Sequence, residues 1–198
     1  MSEDDAFVVY RLKVSLRGIS PMIWRRLLVP AQMTLYELHR AIQLTFGWED
    51  YHLHAFKLHG REYSSTRTGE RHRSPSGDEV RLADLQLRLR QRIVYEYDFG
   101  DMWVHEIRVE SKLGREDGTT YPTCIGGGGA GPPEDVGGSF GYYALLARLA
   151  DEEYEDDGLS AYDAERFSRR EVNGACRKVR FGPQFALESG ALHALLTF

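Results

Sequence analysis

Cysteine is scarce: Cys124 and Cys176 stand far apart and form no metal-ligand spacing. They could pair only if the fold brought their Cα atoms within about 7 Å, and with no oxidising context they read as free thiols. No apolar run approaches the ~20 residues of a membrane-spanning helix, so a helical span is excluded. The first six residues are polar and acidic and offer no secretory hydrophobic region, so the expected setting is the cytoplasm. Excess positive charge is also missing. The net charge of −5 argues against unspecific nucleic-acid binding, which draws on a basic surface.

What remains is the composition of a globular protein, with 42% hydrophobic and 12% aromatic residues. A chain of 198 residues suits one domain that buries its own core without a disulfide or metal staple. Charge is uneven along it. Arg61, Arg67, Arg71, Arg73, Arg81, Arg88, Arg90 and Arg92 make the middle basic, while residues 151–157 are nearly all acidic. Both read as solvated faces; an arginine patch facing nucleic acid is the less favoured alternative.

Val8, Tyr10, Leu12, Val14 and Leu16 alternate with polar residues, the period of a half-buried strand. After the turn residues Gly18 to Pro21, Ile23, Arg25, Leu27 and Val29 alternate again, predicting an antiparallel partner that ends at Pro30. Thr34 and Glu37 have capping-box spacing, and Leu35, Leu38, Ile42 and Phe46 then recur at helical spacing up to Gly47. A strand is expected at 53–58, and a hairpin over 92–97 and 103–112 that turns through Asp98-Phe99-Gly100-Asp101. Residues 64–79 have no apolar period and read as a mobile loop. The stretch 121–141 is crowded with glycine and carries Pro122, Pro132 and Pro133, so it reads as an irregular loop. Helices are expected at 140–149 and near 169–179, and the apolar tail 185–198 reads as a terminal helix or strand. The result is a single α+β domain, an antiparallel or mixed sheet with helices packed on one face. A β-grasp-like core is one arrangement with that order of elements.

Four stretches carry a family resemblance: Ser20-Pro21-Met22-Ile23-Trp24-Arg25-Arg26; residues 34–48 running into His52-Leu53-His54-Ala55-Phe56; residues 95–105; and residues 132–138. In that order they resemble the plasmid pRiA-type ORF-three-like family over roughly residues 8 to 180. The resemblance implies an α+β fold and a tie to mobile elements, and no established activity or cofactor. Relatives in that resemblance often carry extra cysteines where this chain has Gly131 and Val136, so no zinc site is expected around Cys124. Some relatives carry a transposon-resolvase label. Residues 10–15 do not keep the spacing a serine recombinase needs.

The polar set that invites chemistry is His52, His54, Asp98, Asp101 and His105. On a strand His52 and His54 would share a face, and the hairpin turn would bring the aspartates and His105 near them. Neutral imidazole with carboxylate suits Zn²⁺, Mn²⁺ or Fe²⁺, or a general acid/base pair. The structural alternative has aspartates capping a turn and histidines donating to them. Glu134 and Asp135, between rigid prolines and permissive glycines, could cap backbone amides or contact a ligand. Asp98-Phe99-Gly100 copies a kinase tripeptide without the rest of a kinase. Gly126 to Gly129 lacks the lysine of a phosphate loop. Trp24, Trp48 and Trp103 read as anchors, and Arg25 and Arg26 point to opposite faces, one toward solvent and the other toward a carboxylate. The favoured reading is a non-catalytic module for an unidentified protein or small-molecule ligand; the rivals are a metal-dependent or acid/base hydrolase and a nucleic-acid accessory factor.

Overall fold

The structure, a computed structural model, describes residues 8–64, 79–151, 161–179 and 181. Strands β1 (Val8–Leu16) and β2 (Trp24–Pro30) come first, then helix α1 (Leu35–Phe46), β3 (His54–Leu58), β4 (Arg61–Ser64), β5 (Arg92–Tyr97), β6 (Trp103–Gly114), β7 (Thr123–Gly128), α2 (Gly138–Leu149) and α3 (Arg169–Lys178). The strands form one sheet in the order β4-β3-β5-β6-β1-β2-β7. Every pairing is antiparallel. A β-grasp-like core would set β1 parallel to its late neighbour; here β1 and β6 run in opposite directions. Among the described residues no helix is long and apolar enough to cross a membrane.

Alternation decides the two faces. Leu12, Val14, Leu27, Val29, Ile93, Tyr95, Ile107 and Val109 are buried against α1 in one continuous core. At this scale each fully buried aliphatic side chain contributes roughly 1.5–3 kcal/mol before entropy is charged against it. Helix α1 starts where its cap predicts. The Thr34 hydroxyl accepts from the Glu37 amide at 3.1 Å, and the Glu37 carboxylate accepts from the Thr34 amide at 2.9 Å. Gly47 ends it in the left-handed region at φ 83°, a conformation glycine adopts without steric cost.

The other face of the sheet is charged. Arg26 pairs with Glu110 through two hydrogen bonds, at 2.7 and 2.9 Å, and its guanidinium lies over Trp24. Arg25, one residue earlier, is buried on the core side and bonds backbone carbonyls, so the carboxylate partner belongs to the outward arginine instead.

The glycine-rich stretch differs from the irregular loop its composition suggests: residues 123–128 form edge strand β7. Its glycines make room. A Cβ at Gly127 would lie 2.5 Å from the ring of Phe167, so only a bare backbone lets that ring sit against the strand. Asn173 of α3 covers the exposed edge, accepting from the Cys124 amide at 2.7 Å and donating to its carbonyl at 2.9 Å. Cys124 and Cys176 are both buried free thiols. The helices at 138–149 and 169–178 fall where expected. The expected mobile loop lies almost wholly, and the terminal segment 185–198 entirely, outside the described residues.

Candidate functional site

Three segments converge at one end of the sheet: the link from α1 to β3, the β5–β6 turn, and residues 130–138 before α2. Tryptophan anchors them. The Trp48 ring stacks on Tyr97 at 5.0 Å, and its Nε1 donates to the Pro132 carbonyl at 2.8 Å. At Gly131 a Cβ would come within 2.0 Å of the Phe46 carbonyl, so a bare α-carbon is what lets this loop lie on the end of α1. The Glu134 carboxylate accepts from both the Glu49 amide and the Tyr97 hydroxyl, each at 2.9 Å. Asp101 accepts from the Gly137 amide at 3.0 Å, and Gly138 has φ 65° with no room for a side chain above the Asp101 carbonyl. The Pro-Pro-Glu-Asp-Val-Gly-Gly run is therefore a built loop held at both ends.

The five candidate residues do not form one cluster. His52 does not share a strand with His54, because β3 begins at His54; the two-residue rule for a shared face does not apply. The structure forms two groups instead, His39 with Asp50 and His54, and His52 with Asp98 and Asp135. Tyr97 lies between them, its ring 6.3 Å from His39 and 5.9 Å from His52, centroid to centroid.

The inner group is a closed circuit. The His39 ring meets the Tyr95 hydroxyl at 2.7 Å through Nδ1 and Asp50 at 2.8 Å through Nε2. Gln43 donates to Tyr95 at 3.0 Å and accepts from the Asp50 amide at 3.1 Å. Burial holds the Tyr95 phenol well above its ordinary range, so it keeps its proton. With Gln43 donating to it, Tyr95 gives that proton to His39 Nδ1, which leaves Nε2–H to donate to Asp50. The His54 ring lies flat on His39 at 3.5 Å.

The outer group is arranged differently. His52 Nε2 stands 2.8 Å from an Asp135 carboxylate oxygen, and Nδ1 stands 3.7 Å from Asp98. Although 2.8 Å is hydrogen-bond distance, Nε2 is buried and makes no bond of acceptable angle. Asp98 is buried in the turn with φ 54°, and the Gly100 amide donates to it at 2.9 Å. The second oxygen of Glu134 is also buried without a partner. Burial raises the Tyr97 phenol above its ordinary range, and the Glu134 carboxylate beside it adds to that.

His105 belongs to neither group. It faces inward with Trp103, Ile107 and Val109, edge-on to Phe46 and Trp48. Its ring nitrogens make no hydrogen bond of acceptable geometry. Burial pushes its pKa down to about 3, with backbone groups of Trp103 and Tyr95 pulling weakly the other way. His39 and Asp50 carried a signal the sequence reading passed over: a histidine on the apolar stripe of a well-capped helix, with an aspartate just past its closing glycine.

The family model described as plasmid pRiA4b ORF-3-like protein matches residues 8–174. The chain belongs to that family. Within reach of it is an uncharacterized protein, y4hQ, of Sinorhizobium fredii, 33% identical over 177 residues that cover 84% of this chain and 90% of the relative. The crystal structure of a protein of unknown function, MM3350, from Methanosarcina mazei Go1 is 38% identical. It superposes with a TM-score of 0.74 over 84% of this chain and 98% of its own. In this pRiA4b ORF-3-like chain, the stretches that carried the resemblance also build the site. Residues 34–48 running into 52–56 supply His39, His52 and His54, residues 95–105 supply Tyr95, Tyr97 and Asp98, and residues 132–138 supply Glu134 and Asp135.

Proposed function

We propose that the protein is a binding module that holds a divalent cation through His52, Asp98 and Asp135. One observation carries this reading: the 2.8 Å approach of His52 Nε2 to Asp135 in an orientation that makes no hydrogen bond. Hydrogen-bonded partners point at each other; two ligands of one ion point at the ion. With bonds of about 2.1 Å, neighbouring ligand atoms of a tetrahedral or octahedral centre stand roughly 3.0–3.4 Å apart. His52 Nε2 and Asp135 are near that spacing, one ligand atom from each of His52, Asp98 and Asp135 lies within 4.8 Å of the others, and the mixture of imidazole and carboxylate suits Zn²⁺, Mn²⁺ or Fe²⁺. The family's plasmid description is the ground for placing the module beside mobile genetic elements, and the free thiols of Cys124 and Cys176 are the ground for placing it in the reducing cytoplasm.

Metal analysis of untagged protein should find close to one ion per chain, and added Zn²⁺ should raise the melting temperature. His52→Ala and Asp98→Ala should each abolish that rise. Protein that carries no transition metal and melts unchanged on metal addition would remove the reading.

A metal-assisted hydrolase is the second reading, and Glu134 favours it. Its partnerless buried oxygen sits one residue from Asp135, where it could take a proton from a metal-bound water. Three protein ligands would also leave positions open for that water. Hydrolysis of p-nitrophenyl phosphate or acetate by the Zn²⁺-loaded protein, lost in Glu134→Gln while metal binding persists, would select it.

A further inference from the structure

A second site lies away from the cation group, around Arg25. This residue is 2% exposed, yet none of its recorded partners is a carboxylate. Nε donates to the Thr45 carbonyl at 2.6 Å, and Nη1 donates to the carbonyls of Trp24 and Gly128 at 2.8 and 3.1 Å. The Phe46 and Phe167 rings each have their centroid 4.8 Å from Cζ. Nη2 has no partner among the described residues. Burial lowers the guanidinium pKa to about 10, so it stays charged at neutral pH. A buried cation satisfied only by neutral carbonyls is costly unless an anion completes it.

Space for that anion is present. Arg25 borders a cavity of about 470 Å³ between the end of α1, residues 130–133 and the start of α3. Its walls are mostly apolar: Leu44, Phe46, Pro133, Phe167 and Val172. At the rim, Arg166 is already occupied by Glu171, with both contacts at 3.1 Å, which leaves Arg25 as the uncompensated charge. Helix α3 presents one flank, Ser168, Glu171, Val172 and Ala175, to the same space. The volume falls within the usual range for small-molecule sites, on the order of 300–1,000 Å³.

We infer that this cavity binds a small organic carboxylate, with the acid group on Arg25 and an aromatic or branched apolar body against Phe46, Phe167 and Val172. One free guanidinium nitrogen suits the oxygen of one carboxylate better than the several oxygens of a phosphate. The body is what the apolar walls select.

Benzoate titrated into the full chain by calorimetry tests this, with benzamide as a neutral match and inorganic phosphate as a bare anion. Benzoate should bind at least tenfold more tightly than either. Arg25→Met removes the charge at similar volume and should abolish the preference for benzoate over benzamide. Val172→Trp keeps Arg25 and fills the cavity, so benzoate binding should be lost in a protein whose circular dichroism is unchanged. The inference is overturned by absence of benzoate binding at 10 mM, by equal affinity for benzamide, by phosphate binding more tightly than benzoate, or by benzoate binding that survives both substitutions.

Discussion

Two imidazole–carboxylate groups flank Tyr97, built from the same residue types and drawn from neighbouring stretches of chain. In the inner one, each nitrogen of His39 has a hydrogen-bond partner, and the circuit through Tyr95, Gln43 and Asp50 closes on itself. In the outer one, His52 stands at bonding distance from Asp135 without making the bond, and a buried oxygen of Glu134 nearby has no partner. Composition does not separate a structural histidine from a ligand. What differs between these two groups is satisfied valence: the inner ring gives both nitrogens to neighbours, and the outer ring does not. The closed circuit holds α1 to β5; the outer group keeps capacity to spare.

His105 gives the sharpest contrast, and the largest expected effect. It is buried with no hydrogen bond of acceptable geometry on either ring nitrogen, and burial enforces its neutral state against the opposing pull of the Trp103 and Tyr95 backbone groups. The folded-state pKa, about 3, lies below the unfolded value of 6.5. As pH falls below ~6.5 the unfolded chain takes up a proton that the folded chain refuses, so stability falls until about pH 3. The slope approaches roughly 1.4 kcal/mol per pH unit, several kcal/mol across the window. Urea unfolding of His105→Phe should show that part of the acid sensitivity gone. An unchanged profile would mean that His105 is reached by water or charged in the fold.

The two groups should also differ in what they cost to break. His39→Ala leaves Tyr95 and Asp50 short of a partner in the interior and should cost about 3 kcal/mol. His52→Ala, at a half-buried ring with no satisfied bond on Nε2, should cost less than about 1 kcal/mol without metal. Equal losses in urea denaturation would erase the distinction between closed and open groups. Tyr95→Phe sharpens it further: stability should drop by about 1–2 kcal/mol while the Zn²⁺-induced rise in melting temperature persists. Loss of the Zn²⁺ response in that variant would join the two groups into one.

Much of the frame was legible because its causes are local. The alternation of β1 and β2, the Thr34–Glu37 box and the hairpin at Asp98 are each decided within a few residues. The resemblance carried by residues 20–26 and 95–105 placed the chain in its family for the same reason. The division of the polar set was not legible in that way. It depends on β3 starting at His54 rather than two residues earlier, and on the loop of Asp135 returning from far along the chain. His105 could have been set aside, since Trp103, Ile107 and Val109 mark its face as inward. The glycines of β7 misled because their reason is distant: Phe167 needs the bare backbone at Gly127.

Asp101 yields the smallest effect. It was grouped with the candidate ligands, yet its carboxylate accepts from the Gly137 amide and belongs to neither group. Gly137 is the N-cap of α2, where no side chain caps the first turn, and Asp101 accepts from the Gly137 amide itself, one of the amides the helix leaves without an internal partner. The bond is solvent-exposed, and Asp101→Ala should cost only about 0.5–1 kcal/mol. Zn²⁺ affinity should stay within about threefold of the parent, because a slightly loosened loop still presents Asp135 to His52. A tenfold or greater loss of affinity would put Asp101 among the ligands, and the outer group would then need four residues rather than three. Helix α2 separates the two cases: its amides nearest Gly137 should exchange hydrogen faster in Asp101→Ala whether or not metal is present, which a residue acting only through the ion would not cause.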